Sequence, residues 1–174
     1  MSQLAGQEIY LRPSKASDLP LLSEWDRDPE IHYYMQGDYP GQSLQGNNHN
    51  KVHYAIILKG KLIGDIVLDH IAWRSGDAEL KVRIGCKSLW NQGYGTDAVL
   101  TILDHAFDRM NLSRVYLRVY SKNIRALRCY QKAGFKKEGR LQRINKQNEK
   151  DEIILMRILK NEFCRCQKTF YNAI

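Results

Sequence analysis

Apolar residues recur with a period that changes along the chain, and each change marks an element. Ile9 to Arg12 reads as a short strand. Leu19, Leu22 and Trp25 form the apolar stripe of a helix, with Ser17 placed to cap it and Pro20 tolerated in its first turn. Asp28 followed by Pro29 marks a second helix start, which Ile31 to Met35 continues. Gln36 to Asn50, rich in Gly, Asn and Gln, has no period and reads as a long loop. Val52 to Leu58 and Lys61 to His70 form a hairpin about Lys59-Gly60. In Ala78 to Gly85, the charged Glu79, Lys81 and Arg83 alternate with Leu80, Val82 and Ile84, so one face meets a core. Thr96 to Met110 is helical, Val115 to Tyr120 a strand, and Asn123 caps a helix running to Ala133, with Gly134 at its stop. Phe135 to Arg143 and Glu152 to Leu159 are further strands, joined by the polar Ile144 to Lys150. This order gives a mixed α/β (α+β) domain, not the regular alternation of a doubly wound sheet. We expect a single domain over 1–174, its core about 9–160, with no clear pattern in the tail after Asn161.

Two segments carry chemistry. Trp90-Asn91-Gln92-Gly93-Tyr94-Gly95-Thr96-Asp97-Ala98 lies between a strand and an amphipathic helix. Its glycines let backbone N–H groups converge, and the helix start adds unpaired donors and the positive end of a dipole. This makes a cradle for phosphate, to which Thr96 can add a hydroxyl. No Gly-Lys-Ser/Thr follows, so it is not a P-loop. Gly93, Gly95 and Ala98 satisfy a dinucleotide fingerprint, but the strand ending at Tyr120 carries no acidic residue for a ribose. In the second segment, Asn123 to Phe135, Arg125, Arg128 and Lys132 share one helical face that meets either phosphate or solvent. Tyr130 lies seven residues past the Asn123 cap, as a core tyrosine or a site residue.

A formal charge of +8, from 27 Lys+Arg against 19 Asp+Glu, fits nucleic acid, an anionic membrane face or a polyphosphate ligand. Cys86, Cys129, Cys164 and Cys166 lack zinc-ligand spacing, so no metal is expected. Met1 to Pro13 has no apolar core, and no apolar run reaches the roughly 18 residues of a membrane helix, so a cytoplasmic protein with reduced thiols is expected.

The glycine segment, the helix after it and the pattern AsnxArgAlaxxxTyrxLysxGlyPhe resemble the GNAT superfamily of N-acetyltransferases over roughly residues 9 to 160. Leu11-Arg12-Pro13 and Asp18-Leu19 resemble the branch of the ribosomal-protein acetyltransferases RimJ and RimL. Trp90 departs from the family, many members having Arg or Gln there. The resemblance implies a mostly antiparallel sheet flanked by helices, splayed between strands 78–85 and 114–120 to admit the pantetheine arm of acetyl-coenzyme A. Val82, Ile84, Gln92, Gly93, Tyr94, Gly95, Thr96, Asn123, Arg125 and Lys132 would hold that co-substrate. Tyr130 would protonate the departing thiolate, and Glu79 would take the amine proton through water.

The implied reaction is direct attack by a small-molecule or peptide primary amine in a ternary complex. A route through Cys129 is disfavoured, because consecutive helix positions point apart. Asp26, Asp28, Glu30 and Asp38 form an acidic stretch in a basic chain, so Asp26 and Asp38 are expected to draw a cationic acceptor. A homodimer is compatible with this reading. The competing readings are a basic nucleic-acid-binding protein, which lacks any recognisable motif, and a non-catalytic acyl-coenzyme-binding regulatory module.

Overall fold

The computed structural model describes residues 3–35, 49–144 and 148–163. Asp38, Cys164, Cys166 and most of the expected loop after Met35 lie outside them. In chain order the strands are β1 (Leu4–Ala5), β2 (Ile9–Pro13), β3 (Val52–Leu58), β4 (Lys61–Ala72), β5 (Asp77–Ile84), β6 (Arg114–Tyr120), β7 (Lys136–Ile144) and β8 (Lys150–Leu159). The α-helices are α1 (Leu19–Arg27), α2 (Pro29–Tyr34), α3 (Tyr94–Asp104) and α4 (Ile124–Lys132). The strands form one sheet in the order β1-β2-β3-β4-β5-β6-β8-β7, antiparallel at every pairing except β5 with β6. The mixed order read from the chain and the mostly antiparallel sheet that the resemblance implied are both present.

Helix α3 buries Ala98, Val99, Ile102 and Leu103, and a π turn at His105–Arg109 continues it, burying Ala106 and Phe107. These residues share a core with Leu80 of β5 and Val115 and Leu117 of β6. On the other face, Leu22 and Trp25 of α1 and Ile31 of α2 form a smaller cluster. Trp25 lies so close to β5's end that a Cβ on Gly85 would be 1.9 Å from its ring, so only glycine fits there.

Several local expectations change. Strand β1 was not expected; two residues are too few to show a period, and they are held by pairing with β2. Ser17 does not cap α1. A 3₁₀ turn, Ala16–Asp18, precedes that helix, and the Asp18 carboxylate accepts the Lys15 N–H at 2.8 Å. The Asp28 cap is as expected, its carboxylate accepting the N–H groups of Glu30 and Ile31 at 3.0 and 3.1 Å. On the charged face of β5, Glu79 and Arg83 are both buried.

Candidate active site

Strands β5 and β6 pair only from Asp77 to Glu79 against Arg114 to Tyr116. Beyond Glu79 they part, opening a cleft of about 400 Å³ lined by Leu80 to Ile84, Arg118 and Val119, the start of α3 and one face of α4. Gly85 N–H donates to Ile63 across β4. By the two-residue alternation of a strand, the backbone groups of Val82 and Ile84 face away from β4 into the opening. The indole N–H of Trp90 already donates to the Ile84 carbonyl at 2.7 Å. Val82 and the N–H of Ile84 are then the free strand edge that an extended amide-bearing ligand would pair with.

Gly93 starts α3 with φ +91°, a left-handed conformation that favours glycine and turns the next N–H groups toward the cleft. Gly93, Tyr94, Gly95 and Thr96 all line it. A Cβ on Gly95 would sit 3.7 Å from Cys129 Sγ and 3.8 Å from Ile84. Gln92 is not part of the lining; its amide donates to the Ser88 carbonyl at 2.7 Å. The Thr96 hydroxyl, expected to face phosphate, instead donates to Cys129 Sγ at 3.5 Å. Asp97 also has a role that sequence reading missed. Its carboxylate accepts the N–H groups of Gln7, Glu8 and Ile9 at 2.8, 2.8 and 3.1 Å, tying α3 to the turn before β2.

Asn123 caps α4 through the Ala126 N–H at 3.2 Å and lines the cleft. Arg128 and Lys132 line it too and remain exposed. Arg125 lines the cleft as well, and its guanidinium lies 3.5 Å from the centroid of the Trp90 ring and 3.9 Å from Glu30, joining α4 to α2. Trp90, the family departure, is therefore a platform for Arg125. Tyr130 is buried on the cleft wall, and that burial pushes its phenol well above the usual tyrosine range. Cys129 and Tyr130 both line the cleft. Burial raises the Cys129 thiol as well, with Thr96 and Lys132 opposing.

Glu79 lies at the last paired position before the strands separate. It accepts from Arg118 Nε at 2.7 Å and from a second Arg118 nitrogen at 3.2 Å. Asp26 and its neighbours do not form a free acidic patch. Asp26 pairs with Arg83, whose Nε also donates to the fully buried Asp65 at 2.7 Å. Asp28 and Glu30 both pair with Lys87, at 2.8 and 3.1 Å. Asp26, Asp28 and Glu30 are thus matched by cations that arrive from elsewhere in the chain, and Asp26 does not line the cleft. Among the described residues, no group of three or more His, Cys, Asp or Glu side chains gathers as a metal site would, and no helix is long and apolar enough to cross a membrane.

The donor set suits a thioester carrying a long amide arm and a pyrophosphate: a free strand edge, a glycine-led helix start and exposed cations. Comparison with known proteins agrees. Residues 8–136 match the family model described as an acetyltransferase (GNAT) domain. The N-acetyltransferase p20 of Bacillus licheniformis is 24% identical over 180 residues, covering 94% of this chain and 99% of that protein. Spermidine N(1)-acetyltransferase of Escherichia coli K12 is 25% identical over 145 residues, covering 79% and 77% respectively. In fold, the chain is similar to the spermidine N-acetyltransferase of Vibrio cholerae solved with CoA and spermine. The TM-score is 0.78 at 22% identity, over 90% of this chain and 98% of that one.

Proposed function

We propose, for a chain that belongs to the acetyltransferase (GNAT) family, that the acceptor of the acetyl group is the primary amine of a small molecule. Family membership makes it an acetyl-CoA-dependent acetyltransferase acting on an amine. Acetyl-CoA supplies the activated acetyl thioester.

One observation carries the assignment of roles: the cleft opens where β5 and β6 part, with the Glu79 carboxylate at its apex and the Tyr130 phenol on its wall. The amine must be neutral to attack, and a Lys-like amine costs about 4–5 kcal/mol to deprotonate at pH 7. Glu79 takes that proton through water. Backbone N–H of the free β5 edge and the α3 start hold the arm and phosphates, with Asn123, Arg128 and Lys132 beside them. Tyr130 stays protonated because burial opposes the phenolate. The same burial makes it a weaker acid, so its proton passes to the departing sulfur only because the dry cleft raises the thiol as well. Transfer is direct, because the raised Cys129 thiol is a poor nucleophile.

The choice of a small molecule draws on the likeness to spermidine N(1)-acetyltransferase. The placement beside RimJ and RimL rests on Leu11-Arg12-Pro13 and Asp18-Leu19. In the structure Arg12 and Asp18 pair at 2.6 Å, which gives these residues a structural role for any acceptor. Thiol release from acetyl-CoA, measured across polyamines, aminoglycosides and peptides with free N-termini, tests the proposal. Turnover is expected with the small polyamines or aminoglycosides. Turnover confined to peptide N-termini would overturn it.

A further inference from the structure

Buried Glu79 touches an exposed histidine, and a fault in β4 brings the two together. Asp69 pairs with Glu79 across the sheet, but the next matched pair is Ala72 with Asp77. β4 therefore carries one residue more than β5 over this interval, a β-bulge. In an unbroken strand His70 would face away from Asp69 and Glu79, because successive side chains alternate. Here His70 has φ +51°, a left-handed conformation uncommon outside glycine. The bulge turns its ring onto the face of Glu79, with Nδ1 3.3 Å from Glu79 Oε2. The two side chains differ sharply in exposure: His70 is 63% exposed, Glu79 only 4%.

We propose that His70 is the exit of a proton relay, carrying the acceptor's proton from Glu79 to bulk water. This rests on the acetyl-transfer reading above and adds a residue to it. The balance is simple. The ammonium N–H breaks and its proton passes to the Glu79 carboxylate, then to His70 Nδ1, while Nε2 releases a proton to solvent. The second proton that the nitrogen loses as the amide forms replaces the one Tyr130 gives to sulfur. No electrons are exchanged. Imidazole suits this step because it takes and releases protons between pH 5 and 8. A buried carboxylate without such an outlet would have to return its proton through the occupied cleft.

The surrounding charges support the geometry. Arg118 of β6 holds both Glu79 oxygens, Oε1 at 2.7 Å and Oε2 at 3.2 Å, and His70 of β4 approaches Oε2. Asp69 lies 3.9 Å from His70 Nδ1, but is itself matched by Lys81 at 3.1 Å and Lys51 at 3.9 Å. Tyr116, opposite Glu79 on β6, is raised by burial and then by the charge of Glu79, so it stays neutral beside the relay. Glu79 is the nearer carboxylate to the ring.

The test uses His70→Asn and His70→Gly, because both residues accept a left-handed backbone. Acetyl-CoA affinity and thermal midpoint are measured beside acceptor kcat/KM across about pH 5 to 9. We expect a loss of roughly 10- to 100-fold in acceptor kcat/KM, at or below the usual range for a lost acid–base group. Added imidazole should restore rate in His70→Gly in proportion to its concentration. Both variants should keep the rise in kcat/KM that comes from deprotonating the amine, and should lose any further dependence on pH between about 5 and 8. Wild-type kcat/KM in either variant overturns the relay. So does a loss that imidazole fails to rescue, since a purely structural histidine would behave that way. A wild type that turns over no small amine refutes the acceptor reading instead, a result visible before any variant is made.

Discussion

Asp65→Asn isolates the buried charge network beside the cleft. Asp65 is fully buried on β4 and meets His53 Nε2 at 2.9 Å and Arg83 Nε at 2.7 Å. The substitution keeps the shape and one acceptor but removes the charge facing Arg83. Removing one partner of a buried pair typically costs about 3–5 kcal/mol. Arg83 keeps Asp26, and asparagine can still accept from Nε, so we expect about 2–3 kcal/mol here. At roughly 2–4 °C per kcal/mol for a chain of this size, the melting point should fall by about 4–12 °C. Urea midpoints and calorimetry at pH 7 measure this directly. The pH dependence has a definite sign. Burial pushes the Asp65 carboxyl up, but His53 and Arg83 outweigh it and hold the group below the usual carboxylate range. A depressed carboxyl stabilises the fold above its unfolded pKa, and that contribution fades as pH falls below it. The gap between wild type and Asp65→Asn should therefore narrow in acid. Equal midpoints at pH 7, or a gap that widens on acidification, would refute the reasoning.

Tyr130→Phe should lower kcat by roughly 10²–10⁴-fold with acetyl-CoA affinity little changed; wild-type turnover would remove Tyr130 from the role of acid. Gly95→Val places a branched side chain between Cys129 and Ile84, at the glycine turn. It should weaken acetyl-CoA binding by calorimetry at least about tenfold, or ~1.4 kcal/mol, without unfolding the protein. Asp26→Asn, its carboxylate paired with Arg83, should leave acceptor KM within about twofold; a large rise at low salt would restore the acidic patch as an entry site. Burial raises Glu162, but Lys136, Arg157 and the Leu159 N–H outweigh this and hold it at about 2. Glu162→Gln should therefore destabilise the fold at neutral pH. That difference should fade as pH falls from about 4.5 toward about 2, followed by thermal melts.

What could be read from the chain alone was short in range. The Asp28-Pro29 helix start, the Asn123 cap and the glycine turn at Gly93 each depend on neighbours within a few residues. The alternation in β5 and the apolar stripe of α3 follow from a local period, and together with the spacing of Gly93 and Tyr130 they made the family legible. Tertiary structure alone decided which charges meet. Glu79 and Arg83 look like a solvated strand face in sequence. They are buried because β6 and α1 bring Arg118 and Asp26 to them from 39 and 57 residues away. Arg125 was read toward phosphate because its helical face is visible locally, whereas its stack on Trp90 needs α4 to close over the glycine turn. His70 gave no signal, since a one-residue bulge leaves no period to detect. Periodicity records which side of an element faces the core. The partner of a charge is set by distances between elements, which the period of any one element does not contain.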